Sequence, residues 1–104
     1  MLNLENKVRC RKTLDKFGYR PQLLILIEEC SELQKEACKM LRNGTSATPA
    51  PDNFKEELVD VMVMVTQAAM MCGITDAEIN ARAQKKLERA LEREWPADQG
   101  SDGR

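Results

Sequence analysis

The sequence predicts an all-α fold. Four segments carry apolar residues at helical spacing, and none shows the strict alternation of a half-buried strand. The five glycines and four prolines of the 104 residues are few, and all fall at the ends of those segments or outside them.

The first segment, residues 3–17, reads as a basic amphipathic helix with Leu4, Val8 and Leu14 as core positions, ended by Gly18. Pro21 then falls in the first turn of a second helix, where a missing N–H costs nothing. That helix runs to about Arg42 and closes at Asn43–Gly44. The stretch "TSATPAPD" is a loop, because Pro49 and Pro51 forbid continuation. Asn53 and Glu56 have the spacing of a capping box opening a third helix, which runs to about Cys72 and stops at Gly73. Thr75 and Glu78 repeat the box for a fourth helix, continuing to about Trp95 before Pro96. Residues 1–96 are therefore read as one domain, and 97–104, "ADQGSDGR", as a disordered tail.

From Leu58 to Cys72 apolar side chains cover nearly the whole circumference of the third helix. A helix apolar all round must be buried all round. Three other helices of a chain this short cover only part of it. The remainder is expected to meet a second subunit, giving a four-helix bundle completed across an interface, as a homodimer or a dimer-of-dimers tetramer. The methionines of this segment read as core filling.

Composition narrows the chemistry. Net charge is −1, so nothing global attracts nucleic acid or an acidic membrane. The four cysteines form no CxxC pair and there is no histidine, which weighs against zinc, haem, a histidine-based triad and a thioredoxin-type motif. Cys30 and Cys72 are expected to pack as small hydrophobes among apolar neighbours. With no signal peptide and no convincing span, the reading is a soluble, cytoplasmic protein without a membrane or nucleic-acid partner.

The unusual feature is where the carboxylates stand. "EECSEL" adjoins the apolar run "LLILI", and "EELVD" precedes "VMVMV". Glu29 and Glu32 are three residues apart, as are Glu57 and Asp60, so each pair projects from neighbouring positions one turn apart. Leu26, Cys30, Leu33 and Ala37 share one stripe, with Glu29 at its edge and Glu32 a step further round. Leu58, Met62, Val65 and Ala69 form the corresponding stripe, flanked by Glu57 and Asp60. Antiparallel packing of the two helices brings both pairs to one spot. Four carboxylates about 5 Å apart repel by roughly 3 kcal/mol per pair at an effective dielectric near 20. Uncompensated, some must take up protons. A divalent cation reverses the sign. All-oxygen ligands favour Mg2+, with Mn2+ as substitute, and Mg2+ held by carboxylates commonly accompanies substrate phosphates.

At these residues the chain resembles the MazG-like all-α nucleoside triphosphate pyrophosphohydrolases, whose pattern is E-E-x-x-E, a spacer, then E-x-x-D. Here it reads "EECSE" at Glu28, Glu29 and Glu32, and "ELVD" at Glu57 and Asp60. The likeness extends from about "FGYRPQLLILIEECSEL" to "LEREW". It implies Mg2+-dependent cleavage of a (deoxy)nucleoside triphosphate to the monophosphate and pyrophosphate, in nucleotide-pool house-cleaning. It also implies Glu29, Glu32, Glu57 and Asp60 as metal ligands and Glu28 as the base that orients or deprotonates the attacking water. All three of Lys39, Lys86 and Arg93 are implied as substrate-binding: Lys39 matches a lysine often found seven residues after the first acidic motif, and Lys86 and Arg93 match fourth-helix positions that bind phosphate oxygens, although Ala90 stands where the family pattern has asparagine. Phosphoribosyl-ATP pyrophosphatases are similar too, but their histidine after the second acidic motif is missing here. The alternative from another class is a non-catalytic helical dimerisation module whose acidic cluster is structural.

Overall fold

The computed structural model describes residues 1–93, which form four helices and no strand: α1 (Leu4–Phe17), α2 (Tyr19–Asn43), α3 (Asp52–Met71) and α4 (Asp76–Glu92). The expected extension to Trp95, the stop at Pro96 and the tail 97–104 lie outside the described residues. Met1–Ile74 forms one compact unit and the chain from Thr75 a second.

Local signals set the helix ends. Asn3 caps α1 by accepting the Asn6 N–H at 2.8 Å. Gly18 alone joins α1 to α2: at φ 92° it donates to Leu14 O at 2.8 Å and accepts from Gln22 N at 3.3 Å. α2 ends at Gly44 (φ 62°), where Thr45 N reaches back to Met40 O at 2.9 Å. α3 ends the same way at Gly73 (φ 67°), with Ile74 N on Ala69 O at 2.9 Å. These are the six-to-one bonds of a glycine-terminated helix, in which the left-handed residue is strained for any side chain with a Cβ.

Three expectations are corrected. α3 starts at Asp52 with Pro51 as its N-cap and no side-chain cap bond, so the Asn53–Glu56 box does not form. Pro51, extended at φ −60° and ψ 144°, delivers the chain into the helix two residues earlier than a cap at Asn53 allows. On α1, Leu4 and Val8 are exposed; the buried face is Cys10 and Leu14, which repeats at four residues as helix geometry requires. Cys30 and Cys72 are exposed, and Cys10 is the buried thiol, its Sγ 3.9 Å from Val63 O. The second expected box forms by half: Thr75 Oγ1 accepts the Glu78 N–H at 3.2 Å, while the Glu78 carboxylate takes Arg82 Nε at 2.9 Å.

The centre of the first unit is the antiparallel pair α2 and α3, with α1 packed on both. Its seam has heptad character. On α2 the inward positions are Gln22, Leu26, Glu29, Leu33, Glu36 and Met40, spaced alternately four and three apart. On α3 they are Glu57, Asp60, Met64, Gln67 and Met71, with the same alternation. One cross-link fixes the register, Gln22 Nε2 donating to Gln67 Oε1 at 2.7 Å, and the Glu29 and Asp60 carboxylates form a second facing layer. One heptad separates these layers on either helix, about 10 Å of helix axis. The carboxylates thus lie within the packing seam and not at its edge. Cys30 and Val65, expected in the stripes, turn outward and are exposed.

Gln22 and Gln67 are 3% and 1% exposed, so each amide depends on the other. Gln67→Leu leaves Gln22 buried without its partner and is expected to destabilise the fold by about 1–3 kcal/mol in urea titration. Replacing both residues by leucine is expected to cost less than the sum of the single changes, since no orphaned amide remains.

Candidate functional site

Glu29 on α2 and Glu57 and Asp60 on α3 each offer a carboxylate oxygen, and the three oxygens lie within 4.8 Å of one another. All three residues are half-buried. They meet because the register that pairs Gln22 with Gln67 sets Glu29 opposite Asp60 one heptad along, and Glu57 lies one turn from Asp60.

Such crowding appears in their proton affinities. Burial chiefly, then the hydrogen bond and charge of Asp60, then the charges of Glu57 and Glu28, push the Glu29 carboxyl up to about 7. Glu57 is raised as well, by burial first and then by Asp60, Glu32, Glu36 and Glu56. Its Oε2 atom is buried without a hydrogen-bond partner. An acceptor enclosed among other acceptors gains nothing from its neighbours and calls for a proton, a water or a cation. The donor set is oxygen alone, which suits a hard divalent ion.

The remaining motif residues sit differently. Glu32 is outside the close trio; its half-exposed side chain lies 3.9 Å from Lys35, and its charge reaches Glu57. Glu28 is exposed beside Glu29 and adds to the field there. Lys39 is held by Glu36, Nζ to Oε2 at 3.2 Å. In the second unit, Lys86 lies on α4 beside Arg82, Lys85 and Arg89, a basic face bordering a groove of about 410 Å3. Arg93 is the C-cap of α4, its N–H on Ala90 O at 3.3 Å.

Glu36 is the residue that motif reading passed over. Its side chain is only 12% exposed, and it continues the inward row seven residues after Glu29. The heptad count from Glu29 would have found it, whereas the E-E-x-x-E pattern stops four residues short.

No single helix among the described residues is long and apolar enough to cross a membrane. Neither a curated protein nor a solved structure matches the chain. A family model described as dATP/dGTP pyrophosphohydrolase matches residues 31–104, more than two thirds of the chain and a span that includes Glu32, Glu57 and Asp60. The chain belongs to the dATP/dGTP pyrophosphohydrolase family.

Proposed function

We propose that the protein hydrolyses purine deoxynucleoside triphosphates to the monophosphate and pyrophosphate, dependent on Mg2+ with Mn2+ as substitute, and so removes surplus nucleotides from the pool. The observation that carries this reading is the Glu29–Glu57–Asp60 convergence with its orphaned Glu57 oxygen, in a chain of the dATP/dGTP pyrophosphohydrolase family. Glu29, Glu57 and Asp60 would hold the cation, with Glu32 joining from the adjacent turn. When bound, the cation neutralises charge on the phosphates and on the attacking oxygen.

The residues of the chain divide the remaining work. Glu28, solvent-exposed next to the trio, takes the proton of the attacking water. The water oxygen bonds to the α-phosphorus, and the bond from that phosphorus to the bridging oxygen breaks, releasing pyrophosphate. Lys39, in the same unit as the trio, contributes a substrate contact.

Assembly into a homodimer or a dimer of dimers belongs to the same proposal. Leu24 and Ile27 form an apolar patch on α2, 65% and 62% exposed, and Leu41 near its end is 83% exposed, which supports burial against another copy. Light scattering is expected to give twice or four times the mass of one chain; a stable folded monomer would contradict it.

Incubation with dATP or dGTP and Mg2+ is expected to yield monophosphate and pyrophosphate, read by chromatography. Glu57→Gln and Asp60→Asn are expected to lower turnover by roughly 10²-fold or more, the scale of losing one electrostatic stabiliser. Both should melt higher than the parent in EDTA, because each removes a repelling charge. Loss of turnover together with loss of fold would count against the assignment.

Proton linkage gives a separate expectation. Folding lifts Glu29 from 4.5 to about 7, so in the absence of cation the folded state binds a proton that the unfolded chain releases. Its contribution to stability is complete below pH 4.5 and disappears as pH rises through about 7. Melting temperatures in EDTA should therefore rise on acidification from pH 8 to 5. Saturating Mg2+ should flatten or invert that slope, since the cation and the proton compete for the same oxygens.

A further inference from the structure

The seam that holds the carboxylates opens at its far end into a second feature. Between the last turns of α2 and the first turn of α3 lies a cleft of about 300 Å3, bordered by Glu36, Lys39, Met40, Asn43, Pro51 and Asn53. That volume is at the lower end of the range for small-molecule sites. The cleft adjoins the trio on both helices. Asn53 stands one turn before Glu57 on α3, and Glu36 stands two turns after Glu29 on α2. A ligand with phosphates at the trio would extend along the seam into it.

The lining argues for a heterocycle there and against a second phosphate group. Glu36 and Asp52 outnumber the single cation, Lys39, whose ammonium Glu36 already holds at 3.2 Å. Met40 and Pro51 give half-buried apolar walls, suited to the faces of a flat ring. Asn43 and Asn53 are exposed at the rim, each with an amide that both donates and accepts. An asparagine amide pairs in two-point fashion with the N6 amino group and N7 of adenine, and a lysine ammonium pairs with O6 and N7 of guanine. Pyrimidines have no N7.

We propose that this cleft takes the purine base of the nucleotide, with the Asn43 and Asn53 amides and the Lys39 ammonium reading the edge that carries N7. The proposal rests on the nucleotide-hydrolase reading above, and it adds the residues that distinguish purine from pyrimidine.

The test uses the full chain with Mg2+ and non-hydrolysable α,β-methylene analogues of dATP, dGTP and dTTP, with affinities from calorimetry. The parent is expected to prefer both purines, and 7-deaza versions of the purine analogues should bind about tenfold more weakly, the scale of one hydrogen bond. Asn43→Ala and Asn53→Ala should lower purine affinity by a similar factor and leave dTTP-analogue affinity as it was. At least one of the two variants should no longer distinguish the 7-deaza analogue. Equal binding of normal and 7-deaza analogues by the parent overturns the proposal without needing any variant. So does an equal loss of purine and pyrimidine affinity in both variants, which would mean that phosphate occupies the cleft. If the parent hydrolyses dATP but fails the 7-deaza comparison, only the cleft assignment falls. If it neither binds nor cleaves any nucleotide, the hydrolase reading falls with it.

Discussion

The register between α2 and α3 is the constraint on which the rest depends. A slip of one residue rotates a helix by about 100° and would carry Glu29 away from Asp60. Leucine and methionine layers alone tolerate such slips, because one apolar side chain packs against another with little directional demand. The Gln22–Gln67 bond does not tolerate them. Its two amides are buried, their 2.7 Å contact has one geometry, and any slip leaves both orphaned. A buried polar pair in a heptad seam specifies register at a cost in stability, and this one lies a single heptad from the carboxylates.

That placement also explains why the carboxylates can occupy the seam at all. Glu29, Glu57 and Asp60 take positions where leucine would contribute more to stability, and burial first, then mutual repulsion, raises the proton affinity of Glu29 and Glu57. Such a seam is destabilised locally at neutral pH unless something positive is bound. The packing that compensates is modest: Cys10, Leu14 and Met64 are the fully buried apolar residues among those described. A thin core and a charged seam in the same unit are consistent with further apolar burial against another copy at Leu24, Ile27 and Leu41.

The helices were legible in the sequence because glycine and proline punctuate them and the apolar period is clear; Gly18, Gly44 and Gly73 stand where the helices stop. The α3 start was misread because Asn53 has a better capping side chain than Pro51, yet the backbone of Pro51 was already aligned for entry. The meeting of Glu29 with Glu57 and Asp60 followed from spacing once antiparallel packing was assumed, with Glu32 left outside the close trio. Their depth did not. A wheel drawn from apolar residues centres the stripe on Cys30 and Val65, whereas the true seam includes Glu29, Glu36, Glu57, Asp60, Gln22 and Gln67. When polar residues occupy half the positions of a packing face, hydrophobicity no longer marks that face, and only the three–four alternation does.

The same reasoning accounts for the split between trio and outlier within the motif. Glu29, Glu57 and Asp60 lie on the alternation, so packing brings them together before any ligand arrives. Glu32 lies off it, half exposed and near Lys35. A side chain in that position can swing toward the trio at little cost, since no packed neighbour fixes it and its surface ion pair is weak. Under the proposed hydrolase reading, three fixed carboxylates and one adjustable one would suit a cation that also takes waters and phosphate oxygens, because an all-rigid cage would leave substrate no room to enter.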